Sequence, residues 1–131
     1  MSRKLTAEER AALKEALKDK EGEEAVQAAF AKMATDDRAL GKRIHAIVKK
    51  TAPDLRPKTW YGMPAYANKD GKVVLYFRDA KKFKERYALL GFQDSSNLDD
   101  GSMWPVAFAL TKKLSKADEA TIAKLLKQAV S

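Results

Sequence analysis

Three groups of residues in the chain are of the right types and spacing to do chemistry. Asp19, Glu21, Glu23 and Glu24 crowd four carboxylates into a short stretch, an oxygen-rich set that suits hard cations. Arg78, Lys81, Lys82, Lys84 and Arg86 interleave with Phe83 and Tyr87, a pattern that can track a phosphate backbone and stack on bases. Trp60, Tyr61, Met63 and Tyr66, with Met103 and Trp104 further along, can line a cleft for a flat or apolar ligand. Each group also has a plainer reading. Acids near helix termini and basic runs on a lysine-rich chain are ordinary solvated charge, and clustered aromatics commonly form the core.

Several kinds of chemistry are excluded. The chain has no cysteine, which removes thiolate catalysis, disulfides, iron–sulfur ligation and Cys-type zinc sites. Its single histidine, His45, rules out a metal site built on two imidazoles. No hydroxyl or lysine is paired in sequence with a plausible base, and no glycine-rich phosphate loop occurs. The chain therefore reads as a binding module and not as an enzyme.

With 131 residues, 45% hydrophobic and 34% charged, the chain suits one soluble domain that needs neither metal nor disulfide to fold. It contains no apolar run of about 18 residues and no signal-peptide core, which predicts a cytoplasmic protein with no membrane partner. The net charge of +8 is uneven: residues 51–92 hold 9 basic against 4 acidic side chains. Such a field favours anionic partners.

Helices must flank the chemistry on both sides. Thr6 with Glu9 forms a capping box for an Ala-rich helix to about Lys18, with Gly22 breaking or ending it. Val26, Ala29, Phe30 and Met33 recur at helical spacing in a second helix. Thr35-Asp36-Asp37 caps a third, whose stripe is Leu40, Ile44, Ile47 and Val48, with His45 at the rim of that stripe. Pro53 and Pro57 end helical structure.

Trp60–Tyr66 then reads as a bent or bulged strand junction turning at Gly62, with Trp60 at least half buried. Strands are predicted at 64–68 and 73–77 around an Asp70-Gly71 hairpin turn. Residues 79–92 fit either a helix or a single turn followed by a strand from Arg86 to Phe92, and the second is adopted. A last strand spans 104–111, and Ser115 caps a terminal helix carrying Ile122, Leu125 and Leu126. This order predicts an α+β domain with an antiparallel sheet of about five strands. Its N-terminal and C-terminal helices cover one face, with residues 1–22 a peripheral helix and 23–131 the core.

The run Tyr61-Gly62-Met63-Pro64-Ala65-Tyr66, preceded by Ala52-Pro53 and followed by Gly71-Lys72 and Tyr76-Phe77, resembles the YdhG-like family, a widespread bacterial group of unassigned function. Lys82-Phe83, Gly91-Phe92, Leu98-Asp99-Asp100-Gly101 and Met103-Trp104-Pro105 extend the likeness over roughly residues 24–130. The resemblance implies a compact α+β domain and, from some members, frataxin-like iron handling. It carries over no catalytic residues, and the family's iron-handling residues lie outside the shared motif. Iron of that kind relies on an acidic ridge, whereas this chain is strongly basic. The expected function is a small binding module with an unknown small ligand or protein partner, in the form of an iron chaperone. The alternative is a basic adaptor for nucleic acid or another anion. Nucleic-acid binding, where present, is expected to be weak and salt-dependent. The oligomeric state is expected to be monomer or weak homodimer.

Charge decides what to expect of iron. Lys14, Lys18 and Lys20 lie at helical spacing from the four acids and compete with a cation for them. Ferrous ion is expected to bind with a dissociation constant on the order of 10 µM or weaker. Anaerobic calorimetry tests this, and sub-micromolar binding abolished by Glu23→Gln with Glu24→Gln would overturn it.

Overall fold

Thr6 opens the first helix through the expected reciprocal cap. Its hydroxyl accepts from the Glu9 N–H at 3.0 Å, and the Glu9 carboxylate accepts from the Thr6 N–H at 3.3 Å. The structure, a computed structural model, describes residues 4–131. Helix α1 runs without interruption from Ala7 to Ala31, so the break expected at Gly22 is absent. Gly22 serves another purpose. A Cβ there would lie 2.1 Å from the Pro57 carbonyl oxygen, so the missing side chain lets the following sheet press directly on the helix. Before Gly22 the helix is largely free of the core, and Leu13 and Leu17 are about half exposed, at 51% and 52%. Beyond it, Val26 and Phe30 are fully buried.

Helix α2 spans Thr35–Thr51. The residue at its N-cap is Ala34, with no side-chain capping bond, so Thr35, Asp36 and Asp37 lie inside the first turn and do not precede it. Leu40, Ile44 and Val48 form the expected buried stripe, and His45 joins it. The rim position expected of His45 is thus corrected: it is 8% exposed.

Five strands follow, β1 (Arg56–Trp60), β2 (Met63–Ala67), β3 (Val73–Arg78), β4 (Ala88–Phe92) and β5 (Ala107–Leu110). They pair as an antiparallel meander in chain order. The turn between β1 and β2 consists of Tyr61 and Gly62 alone, with φ of 51° and 77°. Two positive φ values in a two-residue loop match the twist of a tight hairpin, so the junction is a hairpin tip and not a bulged strand. A register shift does occur in β2, at Tyr66/Ala67 against β3. The Asp70-Gly71 turn forms as expected, with the Asn68 side chain accepting from the Asp70 and Lys72 N–H groups. Between β3 and β4 the chain makes one turn, as adopted from the sequence.

Helix α3 (Lys116–Ala129) is capped by Ser115 in a second reciprocal box, with Asp118 as partner. Arg43 joins α2 to α3 through the Glu119 carboxylate and, at 2.8 Å, the Leu114 carbonyl.

Successive residues of a strand face opposite sides of the sheet. Tyr66, Leu75, Phe77 and Leu90 therefore face the helices and meet Phe30, Ile44, Val48 and Leu126 in one core. Trp60, Met63 and Tyr76 face the other way. The molecule is an α+β domain with a five-stranded antiparallel sheet backed by an N-terminal helix pair and a C-terminal helix. Among the described residues, no helix is long and apolar enough to cross a membrane.

In a free helix, Gly22→Ala would stabilise by about 1 kcal/mol. Here the opposite is expected, a loss of about 1–3 kcal/mol, because the methyl group meets backbone that cannot swing aside. The urea midpoint of the variant decides between the two signs.

Candidate functional site

Alanines on the C-terminal half of α1 leave room where larger residues would fill it. Ala25, Ala28 and Ala29 floor a cleft of about 720 Å³ bounded by the β1–β2 hairpin tip and the segment after β3. Three lysines rim it: Lys32 from the end of α1, and Lys81 and Lys82 from the turn. Ala34, the uncapped start of α2, also lines it, so the positive end of that helix dipole opens toward the same space. The turn is held in place by Asp37, whose carboxylate accepts from the Lys81 N–H at 3.0 Å. Asp79 completes the lining and is 7% exposed.

The aromatic group expected to form one cleft is divided. Trp60, Tyr61 and Met63 lie at the hairpin tip. Trp60 is partly buried on the outer face, with ring centroids 5.3 Å from Tyr76 and 4.9 Å from Tyr61. Tyr61 is 82% exposed, whereas Tyr66 is fully buried on the opposite face among the helices. Met103 and Trp104 precede β5, whose first residue, Ala107, pairs with Gly91 at the far end of the sheet. Met103 is exposed, and Trp104 packs against the core. Alternation along β2 and the meander register keep these six residues from converging.

The four acids are likewise dispersed. Asp19 lies 3.6 Å from the Arg56 guanidinium, while Glu21 and Glu24 are exposed. Glu23 turns inward, where its Oε1 is 2.9 Å from His45 Nε2. Among the described residues no three acidic or histidine side chains converge as a metal site would require.

The basic group separates too. Arg78 pairs with Glu85 at 2.9 Å and lies over the Phe83 ring, and Arg86 lies over Tyr87. Lys84 is exposed on the turn with a positive φ of 56°. Only Lys81 and Lys82 of the five reach the cleft. Lys32 and Asp79 escaped the sequence reading, because one ends a helix like any surface lysine and the other resembles an ordinary cap.

His45 links three elements. Its Nδ1 lies 2.8 Å from the Tyr66 hydroxyl of β2, and its Nε2 contacts Glu23 of α1. Burial, and then the Glu23 charge, push the Tyr66 phenol far above its ordinary pKa, so it keeps its proton. The arrangement that satisfies both ring nitrogens has Tyr66 O–H donating to Nδ1 and Nε2–H donating to Glu23 Oε1, while Glu23 Oε2 is buried without a hydrogen-bond partner among the described residues.

Comparison of the chain with models of known families, with curated proteins and with solved structures finds no match.

Tyr66→Phe removes the donor and leaves His45 Nδ1 buried and unpaired. A loss of about 1–3 kcal/mol is expected, against almost none for Glu24→Gln on the surface. Thermal melts of the two variants check this, and equal melting temperatures would contradict the assigned network.

Proposed function

We propose that the protein is a small-molecule-binding module whose ligand is a small anion held in the cleft between α1, the hairpin tip and the 79–82 turn. The observation that carries this reading is the meeting of Lys32, Lys81 and Lys82 over an alanine floor. Cations from two separate elements converge on one concave space, where low-dielectric walls strengthen their common field. The uncapped start of α2 adds backbone N–H groups aimed at negative charge. Concavity favours a compact anion over an extended nucleic acid, for which a long open basic face would serve better. Arg78 and Arg86, which would extend such a face, are taken up by Glu85 and by Phe83 and Tyr87.

The YdhG-like resemblance rests on the Tyr61–Tyr66 run and is compatible with a binding module of this kind. Iron handling draws less support. Glu23 is engaged with His45, Asp19 with Arg56, and the cleft beside α1 is rimmed by cations.

Inorganic phosphate is the simplest probe. In an amide NMR titration it is expected to shift Lys32, Thr35, Lys81 and Lys82, with a dissociation constant on the order of 1 mM. Lys81→Ala with Lys82→Ala should weaken binding about tenfold or more. Shifts scattered over the surface, or binding unchanged in the double variant, would overturn the proposal.

A further inference from the structure

An anion site has no evident use for a carboxylate, yet Asp79 lies in this one. Its residue is only 7% exposed, and what remains open lines the cleft. Among the described residues, no hydrogen bond or ion pair reaches its side chain. A carboxylate on a residue this far withdrawn from water is ordinarily paired, and here solvent at the cleft is left as its contact.

Arg78, the neighbour nearest in sequence that could neutralise it, is committed elsewhere. It donates to Glu85 at 2.9 Å and lies 4.9 Å from the Phe83 ring centroid. The Lys81 N–H, two residues on, is given to Asp37. The Lys82 ammonium lies 5.7 Å from the Phe83 ring centroid. Asp79 directly follows Arg78, whose backbone is registered against Leu89 of β4. The cleft thus combines cations at the rim with one carboxylate in the wall.

We infer that the ligand is a small zwitterion, with Asp79 receiving its ammonium or guanidinium group while Lys32, Lys81 and Lys82 hold its anionic group. This rests on the anion-cleft reading above and adds a specificity determinant to it. A plain anion gains from the lysines and is repelled by Asp79. A molecule with a cationic donor turns that repulsion into a charge-assisted hydrogen bond. Asp79 therefore selects against the simple phosphates and carboxylates that the lysines alone would accept.

The test compares two soluble probes that differ only in the amine, 3-aminopropylphosphonate and propylphosphonate, by amide NMR titration of the full chain. The amine-bearing probe is expected to bind at least about tenfold more tightly, as a charge-assisted bond would give. In Asp79→Asn the preference should fall to within about twofold, with propylphosphonate bound as well as before or better. Lys81→Ala with Lys82→Ala should weaken both probes. Equal affinity of the two probes in the natural protein, with shifts confined to the cleft, would overturn the zwitterion inference and leave the anion reading standing. If neither probe shifts the cleft residues, the anion reading falls and the inference with it. The comparison in the natural protein stands whether or not the Asp79 variant folds.

Discussion

A single imidazole ties together three elements of this fold that apolar packing and, between α1 and α2, the Arg38 guanidinium also hold. His45 accepts a hydrogen bond from Tyr66 and donates one to Glu23, so α2, β2 and α1 are joined by hydrogen bonds whose geometry tolerates little displacement. Apolar contacts around it, from Phe30, Ile44 and Leu75, supply attraction without direction. The network adds direction. It fixes the rotation of α1 about its axis by requiring Glu23 to point inward, and that rotation brings Ala25, Ala28 and Ala29 to the floor of the cleft. The network and the candidate site are therefore two consequences of one helix orientation.

Local chemistry was readable from the chain, and long-range geometry was not. The capping box at Thr6, the N-cap at Ser115 and the Asp70-Gly71 turn depend on residues a few positions apart, so sequence spacing suffices to place them. The α+β class followed from the order of periodicities. Gly22 was misread because its role is set by Pro57, far along the chain, and spacing within a helix says nothing of what lies against it. His45 was misplaced for a similar reason: a polar residue beside an apolar stripe is buried only when partners on other elements meet it. The aromatic residues failed to converge because alternation along β2 sends Met63, with its β1 partner Trp60, to the face opposite Tyr66, and the meander sends Trp104 to the far end. Of the site, the cationic turn was legible, but the alanine floor was not, since an absence of bulk leaves no motif.

The net charge of +8 acquires a location in the fold. Several basic side chains are internally matched, among them Arg43 with Glu119, Arg56 with Glu15 and Arg78 with Glu85. Lys32, Lys81 and Lys82 line the cleft against the single carboxylate of Asp79. Part of the chain-wide excess thus lies around this concavity.

Helix α1 is continuous in geometry but divided in support. From Gly22 onward it is held by β1 and the core, whereas the preceding turns depend on the Thr6 cap, the helix-forming tendency of its alanines and the partly exposed pairs of Glu15 and Asp19 with Arg56. Isolated helices of that length are marginal in water. The free energy of local opening must therefore climb along the helix, low at Ala7 and approaching that of the whole domain near Phe30. One rod of backbone thus spans the full range of stabilities in the molecule, and the steep part of that gradient begins where the missing side chain of Gly22 lets the sheet take hold.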